Sequence, residues 1–318
     1  IPAFYNQLRE DVEAAISYHF PRFLASGDYR FGYPSENDVM DVTMDDLRNW
    51  LTPALKDSYL EISLVGDFDE ATAESALAAT FGTLPPRADK RPDYSTALKV
   101  KFPTDAEGTV KTFTVTSVIP KAEALDFWPT TDESDIQQVR VLSVLAEIFS
   151  DRLRVEVRQK LGEAYSPDVM NSSSEIFPGY GFAMSDISAD PKLAASLDDE
   201  ARTIGNDLAQ NGVTQDEFNR ALTPLRTSLV EYRRNNNYWL QRVLAASQLH
   251  PQQLEWARTL ATGYDQITPD QVSAAAREYF SAGRAIRVLV MPMAPTPVAA
   301  PDSGTIPAAS TSTATGSP

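Results

Sequence analysis

A helix–strand unit occurs twice in this chain at a constant offset. Residues 43–65 and 268–290 both run threonine cap, acidic first turn, amphipathic helix, short gap and apolar strand. The offset is 225 residues from Thr43 to Thr268 and again from Val65 to Val290. A unit that recurs in fixed register predicts a duplicated α+β domain. The alternative is two ordinary helix–strand pairs that fall in step, since few residue identities are shared. On the duplication reading, a complete first copy needs roughly 140 residues ahead of Ile1. Residues 1–85 are then expected to be the C-terminal part of a truncated α+β domain, 86–96 a linker, 97–293 a second α+β domain, and 294–318 a disordered tail. The stretch 83–96 is proline-rich and charged, as a boundary should be. The tail is Pro, Ala, Ser and Thr with one charge, Asp302, and no aromatic residue, so it has nothing with which to build a core.

Local patterning fills in the units. Residues 3–18 read as a helix closed by Pro21, and 26–40 as loop. Thr43 caps a helix with the stripe Leu47, Leu51 and Leu55, and 60–66 alternate like a half-buried strand. Asp69 caps a helix over 70–80. Strands are expected at 97–103 and 109–119, followed by an irregular connection over 120–133. A long helix over 134–161 carries Ile136, Val139, Leu142, Leu145, Phe149, Leu153 and Val157 on one face, with Gly162 as its stop. A hairpin over 164–176 and 180–189 precedes a helix that ends at Asn211-Gly212. Thr214 to Glu217 form a capping box for a helix that runs to about residue 247 with a kink at Pro224. Helices over 251–263 and 269–281 and a strand over 285–292 complete the pattern.

Composition removes whole classes of function. Lys and Arg number 28 against 44 Asp and Glu, a net charge of −16, so the generic cationic face that binds nucleic acid or anionic membrane is not expected. There is no cysteine, which excludes disulfides, thiolate zinc sites, iron–sulfur clusters and cysteine nucleophiles. The two histidines, His19 and His250, lie 231 positions apart, and neither has a partner one helical turn away. A zinc hydrolase needs such a pair, so no metal site is expected. No Gly-x-Ser-x-Gly elbow is present, and no run of 18 apolar residues that would span a membrane. Ile1 to Phe4 have neither an initiator Met nor a basic start nor an apolar run, so the chain reads as a processed or truncated product.

Several local strings, in order, resemble the pitrilysin/insulinase zinc metallopeptidases and their mitochondrial-processing-peptidase relatives. They are Leu64-Val65-Gly66-Asp67-Phe68-Asp69 with Phe81-Gly82-Thr83-Leu84-Pro85, then Arg158-Gln159-Lys160-Leu161-Gly162-Glu163-Ala164-Tyr165-Ser166. Gly212 to Phe218, Asn237-Tyr238-Trp239-Leu240 and Ile267-Thr268-Pro269 follow, so the resemblance covers about residues 40–293. It implies repeated α+β domains, each with a mostly antiparallel sheet packed on helices, in two halves that close like a clamshell on a peptide. One half of such an enzyme carries zinc in an inverted His-x-x-Glu-His motif. That motif is missing here, so the chain resembles the other, non-catalytic C-terminal half, inactive alone, with zinc expected on a missing catalytic half that is either covalent or a separate subunit.

The resemblance also implies a site. The non-catalytic half supplies an Arg and a Tyr to substrate, and here these are Arg158 and Tyr165, seven apart. A helix end and a strand start can aim a guanidinium and a phenol at one carbonyl as it gains negative charge. The bland reading is an Arg complementing a helix C-terminus and a Tyr packing at a sheet edge. Arg152 and Arg154 read as a solvated face. A competing function is an inactive binding or assembly module that has kept the fold, as respiratory-complex core subunits resembling this family have. The absence of cysteine, with the large relatives implied, fits a periplasmic or secreted protein.

Overall fold

The computed structural model describes residues 1–161, 167–245 and 247–293. Five strands form one sheet: β1 (Val110–Thr116), β2 (Ala122–Pro129), β3 (Asp168–Ser173), β4 (Gly181–Ala189) and β5 (Ile286–Met293). Their order is β1-β5-β2-β4-β3; β1 and β5 run parallel and the other neighbours antiparallel. The α+β class expected from the sequence is therefore correct.

The helices follow the caps. In the N-terminal third they are α1 (Pro2–Glu10), α2 (Val12–Leu24), α3 (Glu36–Asp41), α4 (Met44–Asp57) and α5 (Glu70–Ala79). Beyond β2 come α6 (Ile136–Leu161), α7 (Ala194–Asn211), α8 (Gln215–Arg234), α9 (Gln252–Arg258), α10 (Leu260–Asp265) and α11 (Pro269–Tyr279). Thr43, Thr214 and Thr268 each accept from the amide three residues on, and that residue's side chain returns to the cap amide. Each box satisfies amides that a helix start leaves orphaned.

The sheet is covered on both faces. On one side, Ala122, Ala124 and Trp128 of β2 pack with Leu142, Leu145, Phe149, Leu153 and Val157 of α6 and with the apolar stripes of α7 and α11. The long-helix periodicity therefore identified the core face. On the other side, Leu125 and Phe127 of β2 and Ile286, Val288 and Val290 of β5 pack against Val12, Ala15, Phe20 and Leu24 of α2. Each large apolar side chain so buried contributes about 1.5–3 kcal/mol.

Several expectations need correction. The loop expected over 26–40 holds α3, capped by Ser35. The connection expected at 120–133 is β2, the central strand, buried from Ala122 to Trp128. Because both of its faces are interior, it lacks the alternation of a half-exposed strand, and Glu123 and Asp126 interrupt its apolar run. No strand forms at 97–103. The first helix is broken at Asp11, whose side chain accepts from the Ala14 amide at 2.8 Å, and α2 runs through Pro21 rather than stopping there. The helix begun at Thr214 ends at Arg234, and a π-helix, Tyr238–Leu244, follows.

Residues 60–66 are extended but join no sheet among the described residues. Leu60, Ile62 and Leu64 are exposed while Glu61, Ser63 and Val65 are half-buried, so the alternation is real and its apolar edge faces outward.

Candidate functional site

Arg158 lies in the last turn of α6, where it was expected, and is exposed. Tyr165, Gly162 and the tail from residue 294 lie outside the described residues. Around Arg158, α6, α7 and α8 enclose an open concavity of about 750 Å³. Arg152, Arg154, Val155 and Arg158 come from α6, Glu200 and Asp207 from α7, and Glu217 and Arg220 from α8.

Arg152 is not part of a solvated face. Its Nε donates to Glu217 Oε1 at 2.7 Å, Nη1 to Asp207 Oδ2 at 2.6 Å, and Nη2 to the Gly212 carbonyl at 3.0 Å. One guanidinium thus ties α6 to the end of α7 and the start of α8. Gly212, at φ 73°, is in the left-handed region that lets the chain leave α7 and turn back. Glu217 also accepts from the Thr214 amide at 2.8 Å. Against the opposing pull of burial, the hydrogen bonds from Arg152 and Thr214 hold the Glu217 carboxyl at about 2. Arg154 is held on its own helix by Asp151 at 2.7 Å and Ser150 at 3.0 Å.

The concavity therefore distinguishes its cations. Arg152, Arg154 and Arg220 are each bound to carboxylates. Arg158 makes no hydrogen bond or ion pair with another described residue. Its charge is available to a carbonyl or carboxylate entering from solvent. The sequence set Arg152 aside as solvated face because its partners lie 55 and 65 residues away and are not visible locally.

Among the described residues no group of three or more His, Asp or Glu side chains could hold a metal ion. His19 sits in α2 with its ring stacked on Phe113, and His250 precedes α9. Neither histidine belongs to a cluster that could ligate a metal among the described residues.

The family described as peptidase M16 inactive domain matches residues 41–225, and the chain belongs to it. It is similar to the chloroplastic stromal processing peptidase of Pisum sativum, at 21% identity over 319 residues covering 84% of this chain and 25% of the relative. The chain thus spans a quarter of the length of the curated relatives it matches. A protease from Helicobacter pylori shares the fold with a TM-score of 0.72 at 15% identity, over 91% of this chain and 70% of that one. The peptidase M16 inactive domain from Pseudomonas fluorescens does so with a TM-score of 0.70 at 18% identity, over 93% and 69%.

Proposed function

We propose that this chain is the non-catalytic C-terminal portion of a zinc metalloendopeptidase, that it shapes the chamber in which a peptide is held, and that Arg158 and Tyr165 reach the substrate carbonyl. The observation that carries the reading is Arg158 itself, a cation in an open concavity whose neighbouring arginines are all paired. A guanidinium beside a carbonyl oxygen stabilises it more as charge develops, and that difference is what accelerates a reaction. Zinc and hydrolysis belong, on this reading, to a catalytic half outside this chain, and the partners are that half and a peptide or protein substrate.

The test is turnover by the assembled enzyme. Arg158→Ala and Tyr165→Phe are each expected to lower kcat/KM on the order of 10²-fold, with melting temperature unchanged. Unchanged turnover with intact assembly would leave the pair structural. That result would favour the second reading, an inactive binding or assembly module. The observation favouring it is the exposed apolar side of residues 44–64, where Trp50 and Leu55 are 74% and 69% exposed.

The division of the chain proposed from the sequence is residues 1–85 as part of a truncated α+β domain, 86–96 a linker and 97–293 a second domain, with α2 of the first part packed on the sheet of the second. The segment over 86–96 is anchored on the first part: Arg87 donates to the carbonyls of Ser58 at 2.8 Å and Leu55 at 2.7 Å, and Arg91 pairs with Glu61 at 2.9 Å.

A further inference from the structure

A second concavity, of about 590 Å³, lies among α2, the turn after it, the turn at Thr104–Ala106 and β1. Its volume is that of a small-molecule site. One wall is aromatic. His19 stacks on Phe113 with centroids 4.6 Å apart and planes 20° off parallel, and Tyr18 meets His19 edge-on at 4.8 Å. Tyr33, 40% exposed, also lines the concavity.

The charge around it runs against the rest of the chain. Arg22 donates Nε to the Phe31 carbonyl at 3.2 Å and Nη2 to the Tyr33 carbonyl at 3.0 Å. Both acceptors are neutral, so the guanidinium is positioned without being neutralised. The Lys111 ammonium lies 5.7 Å from the Phe113 ring centre and forms no ion pair with a described residue. Asp105 is the acid in the lining, against Arg22 and Lys111. Burial lowers the His19 pKa, so the imidazole is neutral at pH 7 and offers a flat face rather than a charge. In a protein of net charge −16, two cations against one acid beside an aromatic wall are a local reversal of sign.

The backbone is shaped to hold this arrangement. Ser26, at φ 53°, is in the left-handed region, as are Gly27 and Gly32. A Cβ on Gly32 would lie 3.4 Å from the Tyr18 carbonyl oxygen and 3.6 Å from Arg22, so the turn closes directly on the residues that line the concavity.

We propose that this concavity binds an aromatic carboxylate, with its ring against the His19–Phe113 stack and its carboxylate between Arg22 and Lys111. A peptide ending in an aromatic residue and a free aromatic acid share that chemistry. The geometry is independent of the proposed role of Arg158.

The test is titration of the chain with N-acetyl-phenylalanine at pH 7.5, read by calorimetry and by the His19 ring proton in NMR, with His250 as the internal control. Saturable binding is expected with a Kd on the order of 10⁻⁴ M. N-acetyl-phenylalaninamide, without the carboxylate, and N-acetyl-alanine, without the ring, should each bind at least tenfold more weakly. Lys111→Gln changes an exposed side chain and should weaken N-acetyl-phenylalanine about fivefold, while Asp105→Asn should tighten it. Tighter binding of acetyl-Ala-Ala-Phe than of phenylacetate would assign a peptide terminus as the source, and the reverse a free acid. Equal binding of acid and amide, no effect of Lys111→Gln, or no saturation below 10 mM would overturn the proposal.

Discussion

Asp126 of β2 and Asp198 of α7 face each other across the seam between sheet and helices, at 1% and 0% exposure. Arg287, opposite Asp126 in the β2–β5 register, donates Nε to Asp198 Oδ2 at 2.6 Å and Nη2 to Asp199 at 2.8 Å. Both Asp126 oxygens and Asp198 Oδ1 find no partner among the described residues. Burial, and next the Asp198 charge, push the Asp126 carboxyl well above the usual carboxylate range. The neutral acid is therefore the form the fold accommodates, its proton placed between the two carboxyl groups.

The sign of the pH dependence follows. A carboxyl with a raised folded pKa contributes stability that is fully present below its unfolded value of 3.8 and is lost as pH rises through the folded value. Asp126→Asn mimics the protonated form at every pH. Its melting temperature relative to the parent should rise steadily between pH 5 and 9, with little gain at the acid end. Asp198→Asn instead strips Arg287 of its buried charged partner, leaving the exposed Asp199, and should cost about 3 kcal/mol at pH 7. Thermal unfolding of both variants across that range checks the pair, and a flat difference curve for Asp126→Asn would refute the protonated state.

A second acid titrates on the opposite face of the sheet. Glu123 of β2, 2% exposed, neighbours Asp186 of β4 beneath α2 and lies 3.3 Å from the Lys121 ammonium. Burial first, then Asp186, lift its carboxyl from 4.5 to about 7, with Lys121 opposing. Stability from this group is present below pH 4.5 and lost as pH rises through about 7. Glu123→Gln should be close to neutral at pH 5 and stabilising by about 1 kcal/mol at pH 8.5, a melting shift on the order of 2–4 °C. Lys121 also reaches Glu13 of α2, so hydrogen exchange of the α2 amides should slow at high pH in the variant.

The Arg152 clamp titrates in the other direction. Glu217 is depressed to about 2, so its contribution is present above 4.5 and lost as pH falls through about 2. Arg152→Ala removes the guanidinium from Glu217, which keeps only its Thr214 donors, and from the Gly212 carbonyl, and should cost about 2–3 kcal/mol at pH 7. That cost should shrink toward pH 2. Arg158→Ala should change stability by less than about 0.5 kcal/mol, as exposed substitutions away from a network do. Denaturant titration of the two variants distinguishes a clamp from an available cation; equal losses would mean that Arg158 has a partner of its own.

Much of the helical scaffold was legible because its causes are local. The caps at Thr43, Thr214 and Thr268 are four-residue signals, and the α6 stripe repeats often enough to identify the core face. The central strand was not legible. Glu123 and Asp126 read as polar interruptions, and what makes them tolerable is Lys121, Asp186, Asp198 and Arg287, drawn from separate elements by the fold itself. At the candidate site, the resemblance singled out Arg158 and periodicity placed it at the end of α6, while the pairing of Arg152 with Asp207 and Glu217, and the absence of an ion pair between Arg158 and any described residue, arise from the fold and were not legible.

The internal repeat gives the last prediction. At the offset of 225, Leu47, Trp50, Leu51 and Leu55 of α4 correspond to Val272, Ala275, Ala276 and Phe280, the face that α11 and the residue after it bury at 0–2% exposure. In α4, Leu47, Trp50 and Leu55 are 38%, 74% and 69% exposed. On the duplication reading, the buried α11 face is what the α4 face corresponds to, and Leu60, Ile62 and Leu64 after α4 are exposed as well. Large apolar side chains exposed together along one helix are a candidate association surface. The isolated chain should self-associate in sedimentation velocity at tens of micromolar. Trp50→Ser with Leu55→Ser should return it to monomer with melting temperature unchanged, since neither side chain is buried. In the assembled enzyme the same pair should weaken docking of the remaining α+β elements and lower the melting temperature. A monomeric parent chain, or a double variant as stable as the parent within the assembly, would show that nothing is seated on α4.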